Sequence, residues 1–216
     1  MNNLVQKFLE SRLIGGDSKF VANVEKAENM VWEATGHDVR DKYQIVANTV
    51  KTGVAKYSTV DKSITIDTES CAKHNIDVAC AIVHELLHAV EQEQFPTLAI
   101  KETFEFMSYI REMEETHAKE LARELFNFIR PENLVSKEMS SIADEFDAIL
   151  DNLEVELETV AKLPKTKAFI DWYLDNTDKI QNTVIFNATG GHTPEWVDMK
   201  NQVEKCFKVT IPIAID

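Results

Sequence analysis

An apolar helix with a polar centre constrains this chain more than any other feature of its sequence. Residues 76–90 are apolar apart from Asp77 and three side chains in the second half, His84, Glu85 and His88. A solvent-exposed helix would carry polar residues along one whole face, so this segment is predicted to be a helix enclosed by other elements. The alternative, two histidines on a surface helix with an incidental glutamate, does not explain the apolar surroundings.

The spacing of these three polar residues is that of a zinc site with a general base. On a helix, residues i and i+4 point in the same direction, so the imidazoles of His84 and His88 can converge on one cation. Neutral imidazole is a good zinc ligand, and a catalytic site has three protein ligands and one position for water. Glu85 lies one residue further round the helix, where it can accept a proton from that water without binding the metal. The motif therefore predicts a hydrolase with Glu85 as the catalytic base.

The third zinc ligand has two candidates. One is a carboxylate, Glu114 or Glu115, in an acidic helical stretch where most acids are expected to be solvated. His117, in the same stretch, falls on the apolar stripe and is expected in the core. The other candidate is His192, which follows a Gly-Gly turn and comes just before Pro194, and proline is favoured in the first turn of a helix. Such a position presents an imidazole rigidly and leaves room for a metal.

Short strands and further helices are predicted around the apolar helix. Apolar residues recur at helical spacing over 2–13, from about Ser18 to Gly36, and again from Pro194, and a β-rich tail is predicted over 207–215. Three segments before the apolar helix are short and rich in β-branched residues, which predicts strands; they are residues 43–46, 53–57 and 63–67.

A long acidic segment separates the apolar helix from His192. It shows helical patterns and no strand pattern, and residues 101–160 carry a summed charge of −10 out of −14 for the whole chain. These features predict an acidic all-helical insertion over 95–182, with the core formed by 1–94 and 183–216. The acidic faces of the insertion are expected to be solvated or to dock a basic protein partner.

Composition limits the partners and the compartment. Lys and Arg number 23 against 37 Asp and Glu, which is the wrong sign for binding nucleic acid phosphates, so no strong nucleic-acid binding is expected. No apolar run approaches the roughly 20 residues of a membrane span, so no membrane association is expected. The N-terminus carries an acid where a signal peptide is apolar. Three cysteines (Cys71, Cys80 and Cys206) are too few for a disulfide framework, and a cytoplasmic location is predicted.

Two motifs together resemble those of the SprT-like zinc metallopeptidases. The His-Glu-x-x-His motif within 84–89 is joined by segment 192–199, which is similar to that family's histidine followed by an acidic-aromatic pair at the opening of a helix. The segments upstream of the apolar helix are similar to the family's strand, edge strand and lead-in to the active helix. Segment 63–67 corresponds to the edge strand, with which an extended substrate pairs in zinc peptidases.

The resemblance implies an α+β fold: a zincin-like core, with a small antiparallel sheet and an active-site helix, that carries the helical insertion. It implies that His84, His88 and His192 bind Zn²⁺ and that Glu85 is the catalytic base. The implied activity is that of a zinc metallopeptidase, which hydrolyses a protein or peptide substrate with a zinc-bound water activated by Glu85.

Two alternatives stay open. One is an inactive, zinc-stabilised interaction module whose insertion binds a protein partner. Against it, Glu85 is present, and a purely structural zinc site more often has four ligands, commonly cysteines. The other alternative is a gluzincin that uses Glu114 or Glu115 as the third ligand, which changes the fold around the metal but not the reaction class.

Overall fold

The structure is a computed structural model that describes residues 13–135 and 137–214, and it shows a mixed α+β protein that is mostly helical. The first predicted helix, 2–13, lies outside the described residues except for Leu13, which begins a short strand instead. In the part of the chain that is described, no helix has both the length and the apolar character needed to cross a bilayer.

In chain order the elements are β1 (Leu13–Ile14), α1 (Ser18–Thr35), β2 (Gln44–Ala47), β3 (Ala55–Ser58), β4 (Ser63–Ile66), α2 (Thr68–Lys73), α3 (Val78–Gln94), α4 (Ile100–Glu112), α5 (Thr116–Phe128), α6 (Pro131–Leu134), α7 (Met139–Val160), α8 (Pro164–Ala188) and α9 (Pro194–Phe207).

The described residues form two compact units. The first unit contains the residues up to Gln94 and those from Pro194 onward, and the second unit is Phe95–Thr193. The insertion predicted from the sequence ended at residue 182. The second unit extends further because α8 is one continuous helix that ends only at Ala188.

The sheet of the first unit is mixed, whereas the sequence analysis predicted an antiparallel one. Its strand order is β1-β2-β4-β3; β2 is parallel to both β1 and β4, and only β3 and β4 are antiparallel. After β2 the chain crosses to the far edge, and the β3–β4 hairpin then brings β4 back beside β2. The predicted edge strand, 63–67, is therefore an inner strand. On this side of the sheet the edge is β3.

Helix α3 is enclosed by the other elements of the first unit, as the apolar composition predicts. Every residue from Ala79 to Glu91 is buried. Helices α1 and α9 and strands β3 and β4 pack against α3. Its first turn is capped by Asp77, whose side chain accepts a hydrogen bond from the backbone N–H of Cys80 at 3.1 Å. A helix buried on all sides needs no polar face, which explains why its few polar residues stand out.

The tail of the first unit is not a strand in its described part, contrary to the sequence analysis. Helix α9 ends at Phe207, and Lys208 adopts a left-handed φ of 54° that turns the chain. The backbone N–H of Ile211 donates to the Glu204 carboxylate at 2.7 Å, so it pairs with a side chain and not with a neighbouring strand. Ile211 itself is buried in the core of the first unit.

The second unit is helical throughout its described residues and has its own apolar core. The core is rich in aromatic rings; Phe106 stacks on Phe169 and meets Phe126 edge to face. Apolar residues of α4, α5 and α7 all contribute to this core. The beginning of the unit is tied to α8, because the backbone N–H of Leu98 donates to the Thr183 hydroxyl at 2.9 Å.

Candidate metal centre

Three histidines lie close together beside the buried helix α3. One possible ligand atom from each of His84, His88 and His192 can be chosen so that all three lie within 4.8 Å of one another. His84 is fully buried, His88 is 9% exposed and His192 is half-buried. The cluster contains both histidines of the helical motif and the more distant of the two candidates for the third ligand, so the three side chains are close enough to hold a metal ion.

The two histidines of α3 face each other because they are four residues apart on one helix. Their Nε2 atoms are 3.1 Å apart, and the ring centroids are 4.8 Å apart. Each Nδ1 atom is turned away from the shared space and has a separate partner. The partners of the Nδ1 atoms determine which nitrogen of each ring carries the proton, and so whether Nε2 can bind a metal.

Both Nδ1 partners are hydrogen-bond acceptors. His84 Nδ1 lies 2.7 Å from the backbone carbonyl oxygen of Pro212, and His88 Nδ1 lies 3.1 Å from Oε2 of Glu91. A carbonyl oxygen and a carboxylate oxygen cannot donate, so both Nδ1 atoms must carry the proton. In the neutral rings, both Nε2 atoms then carry a lone pair.

When both rings are neutral, these two lone pairs face each other at 3.1 Å and repel. A cation shared by His84 and His88 removes this repulsion, and neutral imidazole is a preferred ligand of Zn²⁺. Nδ1–H groups that donate to a carbonyl or carboxylate are also the usual outer partners of zinc-bound histidines. The donor set and its hydrogen bonds therefore fit a zinc ion.

His192 is delivered by a glycine turn. Helix α8 ends at Ala188 and is followed by Gly190 and Gly191 in the left-handed region, at φ of 64° and 87°. The Gly191 N–H donates to the Phe186 carbonyl at 2.8 Å. Consecutive positive φ angles favour glycine over any residue with a Cβ atom. His192 comes directly after this turn and lies two residues before Pro194, the first residue of α9.

Glu85 is buried on the same helix, next to His84 in the chain. Glu85 is only 1% exposed. Because it is one residue away from His84, it lies about 100° round the helix from that ligand. This position separates it from the line that joins His84 to His88.

Sequence reasoning missed residues that hold the histidine rings. Glu91 is three residues after His88 on a buried helix, a spacing that could have been recognised. The Pro212 carbonyl could not, because Pro212 is 128 residues from His84 and its backbone carries no side-chain signal. Trp196 was noted only as part of a motif. Its fully buried ring lies 4.9 Å from the His84 ring and stacks on His88 at 5.2 Å.

The other candidate ligands make local contacts in the second unit. Glu115 caps helix α5, accepting from the backbone N–H of Ala118 at 2.7 Å, and Glu114 accepts from the N–H of Lys165 at 3.4 Å. Neither belongs to the histidine cluster. His117 is exposed, so its expected core position is wrong: the buried face of α5 begins with its neighbour Ala118.

Comparison with known proteins adds no relative to this picture. No protein-family model, no curated protein and no solved structure matches the chain.

Proposed function

We propose that the protein is a zinc-dependent metallopeptidase in which His84, His88 and His192 bind the metal. The observation that carries this proposal is the pair of opposed Nε2 atoms, 3.1 Å apart, on rings whose Nδ1 atoms both donate elsewhere. A metal cation bound between these two atoms would relieve their repulsion, and the third histidine supplies a further neutral ligand. Three protein ligands leave one position open in a four-coordinate site, as in catalytic zinc centres.

Glu85 is the general base in this proposal. When bound, zinc polarises a carbonyl oxygen and lowers the pKa of water. The Glu85 carboxylate accepts a proton from the attacking water and passes it to the leaving amine. Glu85 is only 1% exposed, so bulk water has little access to its carboxylate.

The proposed substrate is a protein or peptide in extended conformation. Strand β3 is an edge of the sheet and packs against α3, which carries two of the ligands and the base. An edge strand presents unpaired backbone groups on its outer side, and an extended peptide can pair with them. In a zincin-like core of the SprT-like type, we therefore expect β3, and not segment 63–67, to pair with the extended substrate.

An inactive interaction module remains the second candidate, and one feature of the second unit favours it. Ile100, Phe104 and Met107 form a row along α4 at helical spacing and are 67%, 67% and 41% exposed. An exposed apolar row of this kind is typical of protein contacts. In an active enzyme the same row would recruit the substrate.

The proposed setting is the cytoplasm. All three cysteines are free, with Cys71 and Cys80 buried and Cys206 exposed, as expected in a reducing compartment. The net charge of −14 argues against strong binding to nucleic acid.

Metal analysis and proteolysis test the proposal together. We expect the wild-type protein to hold about one zinc per chain, His192→Ala to lose most of it, and Glu115→Ala to keep it as the matched control. Glu85→Gln should keep zinc and thermal stability but lose proteolysis of an unfolded protein such as casein. Zinc that survives His192→Ala but is lost in Glu115→Ala would support the gluzincin. Proteolysis that survives Glu85→Gln would exclude the mechanism.

A further inference from the structure

The tail, defined here as residues 208–214, passes beside the metal centre and is fixed by an ion pair on α9. Lys200 and Glu204 are four residues apart, and their Nζ and Oε1 atoms lie 2.8 Å from each other. Both side chains are largely buried, at 11% and 23% exposure. Because both side chains are largely shielded from water, salt screens this ion pair less than one on an open surface.

The same carboxylate oxygen also holds the tail. Glu204 Oε1 accepts a hydrogen bond from the Ile211 backbone N–H at 2.7 Å, in addition to its contact with Lys200. Burial alone would raise the pKa of Glu204, but the Lys200 ammonium and the Ile211 N–H more than compensate, and the pKa lies below its ordinary value. Glu204 is therefore ionised at neutral pH and accepts a charge-assisted hydrogen bond.

The residue after Ile211 reaches His84. Ile211 is anchored twice, by its N–H to Glu204 and by its side chain in the core of the first unit. Pro212 comes next, and its ring fixes φ, so the direction of its carbonyl depends on few free torsions. That carbonyl oxygen lies 2.7 Å from His84 Nδ1.

We propose that Lys200 and Glu204 are positioning residues for the metal centre: they fix the tail so that the Pro212 carbonyl holds His84 in the tautomer that binds metal. This inference rests on the proposed function, because it concerns the same zinc site. Without the carbonyl, His84 Nδ1 loses its acceptor, and the proton is free to move to Nε2, where it blocks the metal. Loss of such an outer partner typically weakens metal binding by about 10–100-fold.

Zinc affinity gives the first test. The dissociation constant is measured in the full chain by competition with a chromophoric chelator at about pH 7.5, where Glu204 is ionised. Glu204→Ala should weaken zinc binding by about 10–100-fold. Asp198→Ala removes an exposed carboxylate from the same helix and should leave affinity within about twofold. Glu204→Gln keeps an oxygen that can accept from Ile211 and should restore most of the affinity.

The tautomer of His84 gives a second test that does not depend on zinc. In the metal-free wild-type protein, ¹⁵N chemical shifts of the His84 ring should report a proton on Nδ1, and in Glu204→Ala a mixture of both tautomers. If the wild-type protein binds no zinc, the proposed function fails, while this measurement still decides whether the tail positions His84.

Wild-type zinc affinity together with an unchanged His84 tautomer in Glu204→Ala would overturn the proposal. If Glu204→Ala does not fold, a chain that ends at Ile211 replaces it. That chain keeps the ion pair, the Ile211 hydrogen bond and the buried Ile211 side chain but lacks the Pro212 carbonyl. It should lose zinc affinity to a similar extent, and wild-type affinity in it would also overturn the proposal.

Discussion

Glu91 and His88 are one turn apart on α3, and the carboxylate that orients the imidazole is itself only 1% exposed. Water can therefore hardly replace it as the acceptor of the Nδ1 proton. The same hydrogen bond makes the ring a stronger ligand, since a carboxylate partner raises the basicity of the opposite nitrogen. The proposed zinc site thus depends on a side chain, that of Glu91, which is not itself a proposed ligand.

Glu91→Ala should accordingly weaken zinc binding by about 10–100-fold, measured by chelator competition. Glu93→Ala is the matched control, because it removes the same charge from the same helix at an exposed position. It should change the affinity by no more than about twofold. Equal affinities for the two variants would show that Glu91 does not support the centre.

At the scale of elements, the glycine turn between α8 and α9 decides where His192 lies. Gly191 has a φ of 87°, and a Cβ atom there would meet the Phe186 ring at 3.4 Å. Gly36, which ends α1, has a similar φ of 76° with nothing within 4 Å of an added Cβ. At both positions the left-handed conformation would strain a non-glycine residue, but only Gly191 is directly followed by a candidate metal ligand.

Both Gly191→Ala and Gly36→Ala should lower the free energy of unfolding by about 1–2 kcal/mol, because a non-glycine residue is strained at positive φ. Only Gly191→Ala should also weaken zinc binding, since its turn positions a ligand. The measurements are thermal melts of the metal-free proteins and zinc titrations. If Gly36→Ala weakens zinc binding as much as Gly191→Ala does, the loss of affinity results from general destabilisation and not from the position of His192.

The start of α4 carries a pH-dependent contact. Glu102 accepts from the backbone N–H of Ala99 at 2.8 Å and forms an ion pair with Lys179 on α8. Burial alone would raise the pKa of Glu102, but these two partners outweigh it and place the pKa below its ordinary value of 4.5. A folded-state pKa that is lowered stabilises the fold above the ordinary value, and this contribution is lost as pH falls through the lowered value.

Glu102→Gln should therefore reduce the stability of the second unit by about 1 kcal/mol at neutral pH. The difference between the variant and the wild-type protein should shrink as pH falls below 4.5. Hydrogen exchange of the α4 amides at several pH values measures this difference. A difference that stays constant down to about pH 3 would contradict the role of the Glu102 carboxylate.

For the molecule as a whole, the first residues of the second unit lie beside residues 182–183 of α8. Leu98 is hydrogen-bonded to Thr183, and the Asn182 side chain donates to the Pro96 carbonyl at 3.2 Å. A segment whose ends are adjacent can be shortened with little entropic cost. The aromatic core of the second unit is separate from the core that surrounds α3.

Replacing residues 98–182 with a short Gly/Ser linker should leave a folded first unit that binds zinc through the same three histidines. Val184, which is buried in the second unit, is changed to Gln in this variant so that its apolar side chain is not left exposed. Circular dichroism and zinc analysis check the outcome. An insoluble or metal-free product would show that the first unit needs the second.

The sequence determined the features that depend on local geometry. The facing of His84 and His88 follows from the pitch of a helix, and the burial of α3 follows from its composition. The strand segments were recognisable because β-branched residues and turn residues mark them within a few positions. Each of these signals is contained in a short stretch of chain.

Which distant segments meet depends on how the whole chain packs. Periodicity marks a strand but does not name its neighbour, so β4 was expected at the edge of the sheet and lies inside it. His192, and not Glu114 or Glu115, lies beside the two histidines of α3 because of where α8 ends and how the turn after it is directed. The Pro212 carbonyl reaches His84 through a backbone atom that every residue possesses. Such contacts are determined by packing across the whole fold, and no short sequence pattern records them.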